Sequence, residues 1–208
     1  MLLIIGNKNY SSWSLRPWIA LKVFGFDFDE KKIPLDEKGT KEAILAHSPA
    51  GRVPILVDGK TTVWDSLAIL EYLAERNRKL WPADPAERAR GRSLAAEMHS
   101  GFPGLRNHMS MNVRKRYAGK GRTPEVLAEI ERIKAIWNEA QKPFLFGSFT
   151  AADAMYAPVV LRLRTYEVEL PRAARSYYDA MLGLPSMQEW IAAAERETES
   201  IPQLDMYG

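Results

Sequence analysis

Three serine hydroxyls lie within four residues near the start of the chain. The stretch NYSSWSLRPW, residues 9–18, places Ser11, Ser12 and Ser14 directly after the apolar run at residues 2–6. The apolar run predicts a buried strand and the residues after the serines predict a helix, so the hydroxyls lie where a strand leads into a helix. A serine there can cap the helix, or it can donate a hydrogen bond to an anionic ligand atom beside the positive end of the helix.

The chain contains no cysteine, so disulfides, thiolate metal sites and cysteine nucleophiles are excluded. Its three histidines, His47, His99 and His108, lie too far apart in sequence to form a local metal motif, and we expect no metal. The sequence has no GxGxxG, P-loop or GxSxG motif. Any thiol that takes part in chemistry here must therefore come from another molecule.

The composition predicts a globular protein. The chain has 208 residues, 46% of them hydrophobic, and a net charge of only +3, which argues against a nucleic-acid or membrane surface. The basic stretch at residues 114–122 is interleaved with glycines and is expected to be a solvated loop. The apolar run at the beginning of the sequence stops after about five residues, too short for a signal peptide or a membrane span, so we expect a cytoplasmic protein.

The first part of the chain alternates between strand and helix signals. Asp58-Gly59 predicts a tight hairpin turn, because this pair accepts positive φ. Asp65 or Ser66 can cap the helix that follows the hairpin. The other elements are predicted as a strand at 2–6, a helix at 15–24, a strand at 27–34 and a helix at 40–46. The order is βαβαββα, ending near residue 77.

Strand signals stop after residue 80, and helix starts follow one another. Asp84-Pro85, Thr123-Pro124, the sequence TAAD at 150–153, Pro171 and Leu184-Pro185 each predict the start of a helix. The sequence therefore predicts a domain at residues 1–77, a linker at 78–85 and an all-α helical bundle at 86–208.

Four stretches together resemble the cytosolic glutathione S-transferases over essentially the full length. SSWSLRPWIAL at 11–21 is similar to the serine motif of the theta and zeta classes, and SPAGRVPIL at 48–56 to the segment before the hairpin. DSLAILEYL at 65–73 and FTAADAMYAPV at 149–159 resemble the starts of two further family helices. The resemblance implies a thioredoxin-like first domain that binds glutathione, with the acceptor-substrate site on the helical domain.

The resemblance implies that Ser11 is the catalytic residue, with Ser12 as the alternative. A free thiol has a pKa of about 8.5, and a hydroxyl that donates a hydrogen bond to sulfur favours the thiolate near neutral pH. The resemblance also implies a cis Val53-Pro54 bond, which would expose the Val53 backbone for pairing with the tripeptide. Asp65 and Ser66 are expected to hold the γ-glutamyl group. Arg52 can meet the glycine carboxylate or remain unpaired.

The expected function is a glutathione transferase in which the thiolate attacks a small hydrophobic electrophile, and the expected assembly is a homodimer. Trp13, Met98, His99 and Phe102 are candidates for the acceptor pocket, although an apolar stripe such as Met98 and Phe102 is more often core. Trp13 stands where zeta-class isomerases carry a cysteine. Two alternatives remain open: a glutathione-dependent isomerase of the maleylacetoacetate type or a lyase, and a binding or regulatory protein that has lost catalysis.

Overall fold

The first part of the fold is a four-stranded mixed sheet with helices. The computed structural model describes residues 1–207. The strands are β1 Leu2–Ile5, β2 Asp29–Lys32, β3 Ile55–Asp58 and β4 Thr61–Val63, and the helices of this part are α1 Ser12–Val23, α2 Thr40–Leu45 and α3 Ser66–Arg76. The strand order is β2-β1-β3-β4, with β1 parallel to β2 and antiparallel to β3, and β3 antiparallel to β4. The predicted order βαβαββα is confirmed.

The remainder of the described chain is helical. A short 3-10 turn at Arg78–Leu80 precedes the helices α4 Pro85–Ser100, α5 Pro103–His108, α6 Pro124–Asn138, α7 Ala151–Thr165, α8 Arg172–Leu182 and α9 Pro185–Glu195. Prolines occupy the first turns of α4, α5, α6 and α9. Backbone N–H groups in the first turn of a helix have no acceptor within the helix, so a proline, which lacks the N–H, costs no hydrogen bond there. The fold class predicted from the sequence is confirmed.

Helix α1 connects the sheet to the helical part. It packs against α3 and, more extensively, against α7. Helix α7 is buried along almost its whole length, which agrees with its run of alanines and aliphatic residues. The loop between β1 and α1, residues 6–11, is called the serine loop because it ends at Ser11, the N-cap residue of α1. Ser12 and Ser14 lie in the first turn of α1, so the packing of α1 against α7 fixes where all three serines lie.

Two predicted boundaries differ from the structure. Helix α1 begins at Ser12 rather than near residue 15, because Ser11 already occupies the N-cap position. The predicted strand at 27–34 is shorter, Asp29–Lys32, and all four of its residues are exposed, as suits an edge strand made of charged residues. Over residues 1–207, no helix is both long and apolar enough to span a bilayer.

Candidate active site

Ser11 and Ser14 form a hydrogen-bonded pair at the start of α1. Their Oγ atoms are 2.7 Å apart, and the backbone N–H of Gly6 donates to Ser14 Oγ at 3.1 Å. Since Ser14 already accepts from Gly6, it can donate its own hydrogen to Ser11. The Ser11 hydroxyl hydrogen is then free for a ligand. Ser11 accepts no N–H from α1 through its side chain, so capping is not what occupies its hydroxyl.

Ser12 has a different partner from Ser11. The guanidinium of Arg162, on α7, donates to Ser12 Oγ at 3.3 Å and to the carbonyl of Met109. Ser12 is the first residue of α1 and is almost fully buried. The two serines are therefore held differently: Ser11 by another hydroxyl, Ser12 by a cation from the helical part of the chain.

Trp13 packs against two arginines and a histidine. The guanidinium carbons of Arg16 and Arg106 lie 4.1 Å and 5.0 Å from the centre of its ring, and the ring of His99 meets it edge-on at 5.3 Å. A tryptophan face attracts cations through its quadrupole, so the ring can hold several guanidinium groups close together. Trp13 thus brings α1, α4 and α5 together at one point.

The three arginines next to the serine loop create a strongly positive region. Burial and the charges of Arg106 and Arg162 lower the pKa of Arg16 to about 9, and burial and Arg106 lower the pKa of Arg162 to about 10. Burial also lowers the pKa of Arg106, against the opposing charge of Glu129. Within residues 1–207, none of these three guanidinium groups makes a salt bridge to a carboxylate. The region therefore favours an anion.

Asp65 and Ser66 lie at the start of α3, on the edge of this region. Asp65 caps α3 by accepting from the Leu67 N–H at 2.9 Å, and its second oxygen lies 3.6 Å from His99 Nε2. Its side chain is 47% exposed, so it retains acceptor capacity toward a ligand. Ser66 is buried and accepts from Arg16 at 3.4 Å, which leaves its own hydroxyl hydrogen free to donate.

Val53 lies two residues before β3, whose first residue, Ile55, pairs with Ile4 of β1. The Val53-Pro54 bond is cis, as the resemblance implies, and no backbone hydrogen bond joins Val53 to another described residue. Its N–H and C=O are therefore available to an extended peptide. Arg52 is exposed and makes no ion pair within residues 1–207, so its role stays a prediction.

The predicted apolar pocket residues belong to the core. Met98 is 2% exposed and Phe102 is 6% exposed, and both pack in the main hydrophobic cluster. Their role in a pocket wall stays a prediction. His99, in contrast, contacts both Trp13 and Asp65 and is the predicted acceptor residue that the structure brings to the serine loop. Among the described residues, no group of three or more histidine, aspartate or glutamate side chains is arranged to hold a metal ion.

Family models of glutathione S-transferases match both parts of the chain, the N-terminal domain at residues 10–76 and the C-terminal domain at residues 114–193. A maleylacetoacetate isomerase from Rattus norvegicus is 30% identical over 193 residues, 87% of each chain. The chain belongs to the glutathione S-transferase family.

Two further comparisons agree with this family assignment. A probable maleylacetoacetate isomerase from Caenorhabditis elegans is 28% identical over 78% of each chain. A glutathione transferase homologue from Burkholderia, solved with bound glutathione, has a TM-score of 0.72, 24% identity, and coverage of 94% of this chain and 98% of its own. At that identity the likeness establishes the shared fold.

Sequence reasoning did not find Arg162 as a site residue of this glutathione S-transferase family member. The structure also places Arg106 partly buried against Trp13. Arg114, expected in a solvated loop, instead donates to carbonyls of the segment after α9. Contacts that join residues so far apart in sequence leave no local pattern.

Proposed function

We propose that this protein is a glutathione-dependent enzyme in which the Ser11 hydroxyl stabilises the glutathione thiolate. The observation that carries this proposal is the hydrogen-bonded series from the Gly6 N–H through Ser14 to Ser11. Hydrogen bonds in series polarise one another, so the last hydroxyl becomes a better donor to sulfur. Donation to the charged form lowers the pKa of the bound thiol.

The remaining site residues supply positions for the tripeptide. The Val53 backbone pairs with the cysteinyl residue, the Asp65 carboxylate accepts from the γ-glutamyl ammonium, and the Ser66 hydroxyl and N–H donate to the γ-glutamyl carboxylate. We assign Arg52, which is exposed, to the glycine carboxylate. Each of these groups has hydrogen-bonding capacity left after its contacts within the protein are made.

Among the reactions that a thiolate permits, we favour cis–trans isomerisation of an unsaturated acid. The thiolate adds to one carbon of a conjugated double bond, a carbon–sulfur bond forms, and the former double bond rotates. Breaking the carbon–sulfur bond then restores the double bond and releases glutathione unchanged. The two relatives named maleylacetoacetate isomerase support this choice.

The charge around Trp13 supports an acidic acceptor rather than the purely hydrophobic one expected from the sequence. Arg16, Arg106 and Arg162 leave a positive excess beside the serine loop, and a carboxylate of the acceptor would offset it. The absence of a cysteine at Trp13 does not prevent this reaction, since the sulfur that adds to the acceptor comes from glutathione.

A simple conjugating transferase is the second candidate. It uses the same thiolate, but the adduct is released instead of being split. Assays with maleylacetoacetate and with a chlorinated nitroaromatic separate the two. Faster turnover of the unsaturated acid, with glutathione recovered unchanged, supports isomerisation, and consumption of glutathione in proportion to product supports conjugation.

The test of the thiolate mechanism is Ser11→Ala, with Ser12→Ala as the matched control. Ser11→Ala is expected to bind glutathione but to lose its thiolate absorbance and most activity near neutral pH, because the donor to sulfur is gone. Ser12→Ala is expected to keep the thiolate. Unchanged activity in Ser11→Ala would contradict the mechanism.

Binding of the wild type to glutathione-agarose is a separate test. Failure of the wild type to bind would favour a non-catalytic binding protein.

The assembly we propose is a homodimer, as is usual for the family. Light scattering measures it directly, and a monomer mass would contradict the proposal.

A further inference from the structure

The loop that carries Ser11 is held by a carboxylate from the far end of the described chain. Glu197 Oε1 accepts from the Lys8 N–H at 2.8 Å and Glu197 Oε2 accepts from the Asn9 N–H at 2.9 Å. The Glu197 side chain is only 8% exposed. Charge-assisted hydrogen bonds to two consecutive N–H groups fix the direction of the backbone at that point. Ser11 follows two residues later.

Several other polar groups of Lys8 and Asn9 are also bound by the helical part of the chain. Trp190 Nε1 donates to the Lys8 carbonyl at 3.0 Å. The Asn9 carbonyl accepts from the Val113 N–H at 3.3 Å, and the Asn9 side chain accepts from the Arg114 N–H at 2.9 Å. Lys8 and Asn9 are therefore positioned by residues more than 100 positions away in sequence.

A second set of contacts holds the segment that carries Glu197. The Arg114 guanidinium donates to the carbonyls of Glu197 and Glu199 and to the Tyr10 hydroxyl. The Tyr10 hydroxyl in turn donates to the Asp205 carboxylate at 2.9 Å. Asp205 also accepts from Asn112 and Ser200. We name residues 196–205 the strap, because they follow α9 and cross back over the loop that precedes Ser11.

We propose that the strap positions the catalytic serine, and that Glu197 is a positioning residue for thiolate formation. The proposal rests on the proposed function of Ser11. If the Lys8 and Asn9 N–H groups lose their carboxylate, the loop shifts and the Ser11 hydroxyl moves relative to the sulfur. A small displacement weakens a hydrogen bond that must be short and straight to stabilise a thiolate.

Glu197→Gln tests the proposal with little change of shape. The glutamine keeps one acceptor oxygen, but its NH2 group faces the second N–H and leaves that donor unpaired. Glu195→Gln is the matched control, because Glu195 ends α9 with a half-exposed side chain 3.8 Å from Arg164. Tyr10→Phe is an independent variant that removes the hydroxyl shared by Arg114 and Asp205.

The measurements are the pKa of the bound glutathione thiol, the glutathione Kd, and kcat and KM as a function of pH. For Glu197→Gln we expect the thiol pKa to rise by about one unit and kcat near neutral pH to fall about tenfold. The glutathione Kd should change little, because the Val53, Asp65 and Ser66 contacts remain. Activity should recover at high pH, where the thiol ionises without help. Tyr10→Phe should shift the same quantities in the same direction, and Glu195→Gln should match the wild type.

Two outcomes contradict different claims. A wild type that leaves the bound thiol at its solution pKa contradicts the proposed function itself. If the wild type lowers the pKa of the bound thiol and the Glu197→Gln and Tyr10→Phe variants lower it by the same amount as the wild type, the proposed role of the strap is contradicted while the function of Ser11 stands. This holds even if both variants melt at a lower temperature. A purely structural role changes the melting temperature without moving the pH profile.

Discussion

At the scale of single residues, the difference between Ser11 and Ser12 is a difference in what their hydroxyls contact. Ser11 Oγ is hydrogen-bonded to Ser14 Oγ, whereas Ser12 Oγ accepts from the Arg162 guanidinium. A hydroxyl that already accepts from another donor gives its own hydrogen more strongly. Because Ser14 already accepts from the Gly6 N–H, its hydroxyl hydrogen is available to Ser11, which leaves the Ser11 hydrogen for a ligand.

Ser14→Ala should weaken thiolate formation without abolishing it. The variant removes the hydroxyl that is hydrogen-bonded to Ser11 but keeps the Ser11 hydroxyl, so we expect kcat near neutral pH to fall roughly threefold to tenfold. It also leaves the buried Gly6 N–H without its acceptor, at a cost of about 1–3 kcal/mol in the free energy of unfolding. Thiolate absorbance against pH and denaturant unfolding measure both effects. Ser93→Ala, on the exposed face of α4, is the control, and a Ser14→Ala enzyme with the wild-type thiol pKa would contradict the prediction.

Arg106→Gln should separate acidic from uncharged acceptors. The guanidinium lies against Trp13 and donates to the Gly101 carbonyl at 3.0 Å, so the glutamine loses charge while remaining polar. We expect KM for an unsaturated acid to rise about tenfold and KM for an uncharged nitroaromatic to change little. Arg90→Gln, an exposed arginine of α4, is the control. An equal loss toward both acceptors would show that Arg106 does not recognise acceptor charge.

The site residues that could be predicted from the sequence contact residues close to them in sequence, whereas those that could not be predicted contact residues far away in sequence. Ser11 and Ser14 are three apart on one helical turn, so their pairing follows from local geometry. Asp65 and Ser66 are predicted for the same reason, as the start of a helix. Arg162 reaches Ser12 across 150 positions, and only the packing of α7 against α1 brings them together. Such a contact has no signature within a short stretch of sequence.

At the scale of elements, the start of α7 depends on one buried acid. Asp153 is fully buried and accepts from the Leu145 N–H, the Thr150 N–H and the Thr150 hydroxyl at 2.8–3.0 Å. This contact is the reach-back that the sequence TAAD predicts. Because α7 packs against both α1 and α4, an error at its start would also displace the helix that carries Ser12.

The contribution of Asp153 to stability should depend on pH. Burial raises its pKa from 3.8 to about 6, against the hydrogen bonds it accepts, so between these values the folded protein holds a proton that the unfolded chain has released. Its stabilising effect is therefore complete below about pH 4 and is lost as the pH rises through about 6. The gap in unfolding free energy between the wild type and Asp153→Asn should narrow by about 1–3 kcal/mol from pH 4 to pH 7.

Denaturant unfolding of both proteins at several pH values measures this gap. Asp84→Asn is the matched control, because Asp84 caps α4 in the same way from an exposed position. A gap that stays constant, or widens toward neutral pH, would mean that the folded protein does not raise the pKa of Asp153.

The elements themselves were predictable because their signals are local. The hairpin turn at Asp58-Gly59 and the proline starts of the later helices follow from backbone preferences. The end of β2 was not predictable in the same way. The residue types at 27–34 favour an extended strand over the whole run, but only Asp29–Lys32 pair with β1.

At the scale of the whole molecule, the part that contains the sheet and the helical part are joined by hydrogen bonds and by buried aromatic contacts. The loop after β1 accepts hydrogen bonds from Trp190 and Val113 and donates to Glu197, all three in the helical part. The Trp190 ring also meets Trp18 of α1 edge-on, with ring centres 5.1 Å apart. Loss of these contacts would free both the sheet and α1, so we expect the chain to unfold in one transition rather than two.

Trp190→Phe tests this coupling. The variant loses the donor to the Lys8 carbonyl and part of the buried contact with Trp18, which should lower the free energy of unfolding by about 1–3 kcal/mol. Because the contact joins both parts, the guanidinium midpoints followed by helical circular dichroism and by tryptophan fluorescence should move down together. Trp64→Phe, at an exposed tryptophan, should leave both midpoints in place. If Trp190→Phe shifted one probe and left the other unchanged, the two parts would be independent folding units.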